Sequence, residues 1–278
     1  MSFRYSYPLD NLLRTASSIS VTLANALADY GAENLSIGDP SQPFKADAGT
    51  ARVIWGWDAP VLPEFVALLN SNLDVAARWQ GSNDIDFDGS PGPDIDVAFG
   101  VPVYNAQTGF FTSPWLDMSA YTARSYWSLL VTANTLDVIV GEVWAGAETR
   151  EFARHLLLES AEYRLEGREV RHYTGYDVDL GYDVTTEREV LAGVFQLETT
   201  AELAAMKAWA QAMRRAVRKC VVVPDVDVDD AWHVRLTEAE FVVRPAVPGA
   251  AALAPVQSSV TLGFRQTSRG MPWVDPDA

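Results

Sequence analysis

A chain of 278 residues, of which 48% are hydrophobic, has the length and the apolar content for two domains of ordinary size. Its formal net charge of −16 disfavours nucleic acids and anionic membranes as partners, because like charges repel. The single cysteine, Cys220, excludes a disulfide within the chain. With neither a signal peptide nor an apolar stretch of membrane-spanning length evident, we expect the protein to fold in a cytoplasm.

Short strand-like runs dominate the first half of the chain. They lie at residues 52–57, 65–70, 126–133 and 136–144, separated by Gly, Pro, Asn and Asp. The run at 65–70 is continuously apolar, which is expected of a strand buried on both faces. Many short strands with such punctuation predict a β-sandwich or jelly roll.

The second half begins with a predicted linker at 145–154 and then returns to strands. We expect strands near 170–182, 188–197, 220–224, 232–236 and 260–264. The acidic stretch 225–230 separates two of these strands and predicts a hairpin with a solvated turn. The Ala-, Pro- and Gly-rich stretch 245–255 is typical of a loop.

One helix is predicted, over residues 201–219. Thr199 and Glu202 form a capping box, in which each side chain bonds to the backbone N–H of the other residue. Apolar residues then recur at spacings of three and four, at Leu203, Met206, Trp209, Met213 and Val217. This stripe predicts a helix packed on a sheet.

Two groups of segments resemble phage tail proteins. AENLSIGDPSQPFKA, IWGWDAP, FVALLNSNL and YWSLLVTANTLDVIVGEVWAG resemble, in this order, the discoidin-like (galactose-binding-like) jelly roll of tail-tip proteins in long-tailed bacteriophages. VFQLETTAELAAMKAWAQAMRRAVRKCVVVPDVDVDDAWHVRL resembles the tail-tube-like β-sandwich of distal tail and minor tail proteins. Together they cover most of residues 30–243.

The resemblance implies a mainly β chain with a discoidin-like sandwich at 1–146 and a tail-tube-like β domain with one helix at 147–278. It implies a non-enzymatic structural protein of the virion, located at the tail tip or baseplate and assembled in the host bacterial cytoplasm. The partners it implies are copies of the chain in a ring, the tail tube protein, and tail-tip hub and fibre proteins.

A calcium site is the sharpest local hypothesis. Asp84, Asp86, Asp88 and Gly89 reproduce the first half of a calcium-binding loop, in which alternate carboxylates converge on the ion. The closing glutamate of that pattern is replaced by Ile95, so we expect no cofactor, and weak calcium binding is the alternative. The competing interpretation is a solvated acidic turn.

Carbohydrate binding is the main alternative to a structural role. Trp55, Trp57 and Trp115 are the candidates for stacking on a sugar face, and the competing interpretation places them in a core or an interface. Such a protein would act as a carbohydrate-binding module on the host cell envelope.

Catalysis has little support in the sequence. The three histidines, His155, His172 and His233, are scattered, and no metalloprotease, hydrolase or nucleotide-binding motif occurs. A cell-wall glycosidase, which needs only two suitably placed acids, is a third and weaker hypothesis.

Overall fold

The structure is a computed structural model that describes residues 4–6, 11–24, 26–27, 30–37, 42–89, 92–105, 110–147, 149–151, 162–173, 179–197, 199–215, 219–224, 229–243 and 258–266. Within these ranges the chain consists mainly of antiparallel β-strands, with two α-helices and one 3-10 helix. None of the described helices has the length and apolar character that a membrane span requires.

The elements fall into two groups along the chain. The first contains β1 (Arg4–Ser6), a 3-10 helix (Leu12–Thr15), β2 (Ser18–Thr22), α1 (Asn34–Ile37), β3 (Phe44–Ala46), β4 (Gly49–Val61), β5 (Phe65–Ser71), β6 (Arg78–Ser82), β7 (Ile95–Ala98), β8 (Tyr104–Asn105), β9 (Phe110–Phe111), β10 (Trp115–Asp117), β11 (Arg124–Asn134) and β12 (Val138–Gly146). The second contains β13 (Thr149–Glu151), β14 (Glu162–Tyr173), β15 (Asp179–Leu197), α2 (Thr200–Arg215), β16 (Lys219–Val223), β17 (Trp232–Val243) and β18 (Ser258–Gln266).

The first half forms a sandwich of two antiparallel sheets. One sheet has the strand order β2-β4-β11-β6-β7 and the other the order β10-β5-β12-β3. Consecutive strands cross between the sheets, as in a jelly roll, since β3 and β5 lie in one and β4 and β6 in the other. Alternate residues point inward, so β4 buries Val53 and Trp55 while β11 buries Trp127 and Leu129 in the same core.

The second half forms one sheet with a helix packed on it. Its seven described strands have the order β13-β1-β16-β17-β18-β15-β14. The helix α2 buries Leu203, Met206, Trp209 and Met213 in a cluster with residues of this sheet. The predicted stripe is therefore confirmed for these four residues, and Val217 lies outside the described residues.

The capping box of α2 forms as predicted. The backbone N–H of Glu202 donates to Oγ1 of Thr199 at 3.1 Å, and the backbone N–H of Thr199 donates to Oε2 of Glu202 at 3.2 Å. The described helix runs from Thr200 to Arg215, residues 216–218 lie outside the described residues, and Lys219, the predicted last helical residue, begins β16.

The two halves share an apolar junction built on the second face of β5. Phe65, Ala67 and Leu69 point away from the sandwich core and pack with Val221 and Val223 of β16. This contact explains the continuous apolar run of β5, and the prediction of a strand buried on both faces is confirmed.

Two local predictions were wrong. The linker predicted at 145–154 contains β13, which pairs with β1. A single strand was predicted at 170–182. In the structure this range contains the end of β14 and the start of β15, two strands that pair antiparallel. Alternating polar and apolar residues continue on both sides of this reversal, so the pattern alone did not show it.

The mainly β fold class, with a sandwich and one helix packed on the second sheet, is confirmed. The division into 1–146 and 147–278 stays a prediction, as does the tail-tube likeness of the second half. The strand order also shows that β1, near the N-terminal end, lies between β13 and β16 in the seven-stranded sheet of the second half.

Candidate functional site

The connection between β6 and β7 surrounds a pocket of about 320 Å³. Three aspartates, a serine, an asparagine and two glycines line it: Ser82, Asn83, Asp84, Asp86, Gly89, Gly92 and Asp94. Carboxylate, amide and hydroxyl groups of this kind can bond to sugar hydroxyls or to cations.

The acidic loop is held by its own side chains. Oγ of Ser82 accepts the backbone N–H of Asp84 at 2.9 Å, and Oδ1 of Asp84 accepts that of Asp86 at 3.1 Å. Oδ1 of Asp86 in turn accepts the backbone N–H of Asp88 at 3.1 Å. Consecutive side-chain bonds of this type are turn-forming contacts. The loop geometry is therefore explained without a bound ion.

Arginines from the adjacent sheet neutralise two of the loop carboxylates. The guanidinium of Arg52, which is buried, lies 2.7 Å from Oδ2 of Asp88, and Nε of Arg124 lies 3.0 Å from Oδ2 of Asp94. Phe87 is buried, with the Arg52 guanidinium 5.6 Å from its ring centroid. The loop therefore folds back onto the outer face of the five-stranded sheet.

These contacts bear on the predicted calcium ligands Asp84, Asp86 and Asp88. Asp88 already pairs with Arg52, and within the described residues no group of three or more His, Cys, Asp or Glu is placed to hold a metal ion. The geometry favours a self-stabilised acidic loop, and calcium binding stays a hypothesis for titration.

The three candidate tryptophans lie in different surroundings. Trp55 is fully buried in the sandwich core, 5.8 Å from the ring of Trp79, so its proposed role in sugar stacking was wrong. Its position in phase with Ala51 and Val53 on one strand was the signal for a core residue.

Trp57 and Trp115 remain partly exposed. Nε1 of Trp57 donates to Oγ1 of Thr15 at 3.2 Å, and its ring packs beside the sandwich core. Trp115 stacks on Phe65 at 5.6 Å, and the Arg4 guanidinium lies 5.3 Å from its ring centroid. Trp115 is therefore engaged at the junction, which leaves Trp57 as the better candidate for sugar stacking.

A buried polar cluster between the halves was missed by sequence reasoning. Oε2 of Glu142 lies 3.6 Å from Nδ1 of His233, and Nδ2 of Asn11 donates to Oε1 of Glu142 at 3.5 Å. Glu142 and His233 are both buried, so a substrate does not reach them. We assign this cluster to the structure of the junction. More than 80 residues separate any two of these three positions in the chain, and no local motif marks them.

The other groups with catalytic potential give no assembled centre within the described residues. His155 lies outside them, and the side chain of His172 is not among those described. Burial raises the pKa of the Cys220 thiol and keeps the sulfur neutral. The thiol of Cys220 is therefore a core group.

The end of the acidic stretch 225–230 docks onto the sandwich and is not solely a solvated turn. Oδ1 of Asp229 accepts the backbone N–H of Trp115 at 2.9 Å, and Oδ1 of Asp230 accepts that of Ser113 at 2.8 Å. Burial raises the pKa of Asp229, and the nearby charge of Asp230 raises it further. The hydrogen bonds that Asp229 accepts from the backbone N–H groups of Trp115 and Gly100 lower this pKa, but the net shift is upward. These bonds fasten β17 to the first half.

A long hairpin extends beyond the seven-stranded sheet. Residues 190–197 of β15 pair with β18, and the first three of them also pair with β14. Among the described residues, 179–189 pair only with β14. The strand β14 forms one edge of the sheet. Among the described residues the distal part of the hairpin is thus two strands wide, and strand edges of this kind offer backbone groups for pairing with another strand.

Comparisons with known proteins do not show a family for this chain. No protein-family model matches the chain, and no curated protein matches it. Three solved structures illustrate the structural likenesses. Reduced XRCC1 bound to the DNA polymerase β catalytic domain matches at 12% identity and a TM-score of 0.36, over 53% of this chain and 99% of its own.

Two further structures match at similarly low identity. SpGH29 matches at 14% identity and a TM-score of 0.34, over 50% of this chain and 27% of its own. A serum f-lectin (fucolectin) of the striped bass, Morone saxatilis, matches at 8% identity and a TM-score of 0.38, over 96% of this chain and 94% of its own. Likenesses at this level carry no argument about what the chain binds.

Proposed function

We propose that the chain is a non-enzymatic structural protein of the tail tip of a long-tailed bacteriophage. Copies of it would form a ring at the end of the tail tube and brace neighbouring hub or fibre proteins. The sequence resemblance supplies the biological setting. The projecting hairpin of β14 and β15 is the structural observation that supports assembly.

The hairpin supports assembly because two strands alone are marginally stable in water. Residues 179–189 have a described strand partner on one side only, so a neighbouring strand would complete their hydrogen bonds. When each copy offers a hairpin to a different surface of the next copy, the contact is head-to-tail and closes into a ring if the rotation permits.

The junction between the halves supports a mechanical role. Apolar packing around Phe65 and Val221 and the backbone bonds accepted by Asp229 and Asp230 join the sandwich to the sheet. The sandwich would then be held firmly against a ring formed by the second half. A rigid connection of this kind suits a bracing protein.

Sedimentation across a salt series tests the assembly. The charge of −16 opposes ring closure, because like charges on adjacent subunits repel within a Debye length of about 8–10 Å. We expect a monomer or weak associations at low salt, and rings at high salt and high protein concentration or together with tail tube protein.

A variant in which a short turn replaces the distal hairpin, residues 168–185, provides the control. It should keep the melting behaviour of the rest of the chain and form no rings where the parent forms them. Rings of equal size and stability from this variant, or a parent that stays monomeric at all salt concentrations and with tube protein, would contradict the proposal.

Carbohydrate binding is the second candidate, and the polar pocket beside β6 is the observation that favours it. A glycan-array measurement with host polysaccharide tests it, with Asp86→Asn in the pocket and Trp57→Ala beside the core as variants. Glycan binding by the parent that weakens in either variant would favour a host-envelope module. No glycan binding by the parent would remove this candidate, and equal binding by all three proteins would exclude the pocket and Trp57 as its site.

A further inference from the structure

The strand β2 is an exposed edge without the usual protection. Among the described residues it pairs on one side only, with β4, and forms the edge of the five-stranded sheet. Its sequence is Ser-Ile-Ser-Val-Thr, without lysine, proline or any charge. Natural edge strands generally carry such residues because free backbone groups invite pairing with another chain.

Apolar side chains accompany this edge. Ile19 is 38% exposed, and Leu23, directly after the strand, is 54% exposed. In the register with β4, Ile19 and Val21 are opposite Trp55 and Val53, which puts them on the core side of the sheet. The sandwich core therefore reaches the surface along β2.

Leu23 adds a conformational cost at the end of the strand. Its φ is 67°, in the left-handed region that a bulky residue rarely occupies. An exposed leucine in a disfavoured backbone conformation is expected where a binding surface maintains it. Strain and exposure therefore coincide beside the free edge.

The charge pattern favours a second copy of the chain as the partner. Residues 15–28 carry no charge, although the whole chain carries −16. Two copies therefore meet less electrostatic repulsion at this edge than over a surface of average charge. The uncharged strand also offers no group that would select a charged partner.

We propose that β2 pairs with β2 of a second copy of this chain, antiparallel and about a two-fold axis at Ser20. This register places Ser20 opposite Ser20, Ile19 opposite Val21, and Ser18 opposite Thr22. Each is a pair of β-branched or hydroxyl residues that suits cross-strand contact. The two five-stranded sheets then become one continuous sheet, and the apolar side of β2 is covered. This contact is distinct from the hairpin-mediated ring and does not depend on the proposed function.

A contact along five residues is smaller than a standard interface, so the isolated dimer is weak and is best detected by covalent trapping. Ser20→Cys places two thiols opposite each other across the dimer axis, at the Cβ separation of a cross-strand pair, which suits a disulfide. The native Cys220 is buried and does not compete.

Mild oxidation at high salt then decides the proposal. Ser20→Cys should form a disulfide-linked dimer several-fold faster than Ser18→Cys, its matched control on the same strand, because residue 18 is opposite residue 22. Adding Ile19→Lys to Ser20→Cys should reduce the rate to the control level while leaving the melting temperature close to that of Ser20→Cys alone. The pair Ser18→Cys with Thr22→Cys should restore fast linkage, which fixes the register.

Equal rates for Ser20→Cys and Ser18→Cys, or a rate insensitive to Ile19→Lys, would overturn the proposal. The shortened-hairpin variant carrying Ser20→Cys separates the two contacts. It should still link through residue 20 when it no longer forms rings, and loss of linkage in that variant would likewise contradict an independent β2 contact.

Discussion

The two halves of the molecule cover their apolar faces in different ways. The sandwich encloses its core between two sheets of its own, with Trp55, Trp79 and Trp127 fully buried. The seven-stranded sheet has no second sheet among the described residues. On one face it is covered by α2, and around β16 its other face packs against β5 of the sandwich.

This difference makes the second half the more dependent of the two. Cys220 and Val222 of β16 point to the helix side, and Val221 and Val223 point to the sandwich side. The second half also depends on the N-terminal end of the chain, because β1 pairs with β13 and β16 in the same sheet. We infer that the second half loses structure first when either cover is weakened.

Trp209→Ala removes the centre of the helical cover and is expected to have the largest effect. Trp209 is buried, its Nε1 donates to the carbonyl of Ser6 at 3.1 Å, and its ring lies 4.9 Å from that of Tyr5. The free energy of unfolding should fall by about 3–5 kcal/mol. Denaturant unfolding measures this loss, and a value below about 1 kcal/mol would mean that the ring packs weakly in solution.

Leu69→Ala and Leu68→Ala test the two faces of β5 separately. The side chains are neighbours, both are buried, and they belong to the junction and the sandwich core respectively. Each truncation should cost about 2–5 kcal/mol. Hydrogen exchange should show faster opening of β16 and β17 in Leu69→Ala, whereas Leu68→Ala should affect mainly the sandwich. Identical exchange patterns would mean that the whole chain unfolds as one unit.

The sequence predicts elements that depend on near neighbours. Thr199 and Glu202 are three residues apart, and the stripe of α2 repeats within one helix, so both were predictable. The run of β5 also indicated burial on two faces, but it could not identify Val221 as the partner. Trp55 shows the opposite problem, since its chemistry suggested a ligand while its alternation with Val53 indicated the core.

The contacts at the junction could not be predicted because they join distant parts of the chain. Asp229 reaches Trp115 across 114 residues, and Asn11 reaches Glu142 across 131. Nothing in the local sequence distinguishes these side chains from solvated ones. The same limit applies to the pocket, where Arg52 and Arg124 reach the acidic loop from other strands.

The junction should give a small pH dependence through Asp229, for which Asp229→Asn is the matched variant. Because burial raises the pKa of this carboxyl in the folded protein, the folded state holds its proton more tightly than the unfolded state does. The charged form therefore destabilises the fold, and this cost disappears as the pH falls below the ordinary value of 3.8. Relative to Asp229→Asn, the parent should be less stable at neutral pH, and the difference should narrow in acid. If the stability difference between the parent and Asp229→Asn widened in acid, the pKa of Asp229 would be lowered in the folded protein and not raised.

Added calcium should have the smallest effect on stability of all. This experiment compares the acidic loop with a true ion site. Asp84 and Asp86 already accept backbone N–H groups, Asp88 is paired with Arg52, and Ile95 replaces the closing acid. An ion would have to compete with these contacts and would lack the bidentate ligand that gives calcium loops much of their affinity. Millimolar calcium should therefore leave the melting temperature almost unchanged, with magnesium as the control for ionic strength. A large rise specific to calcium, and abolished by Asp86→Asn, would establish an ion site that rearranges the Arg52–Asp88 pair on binding.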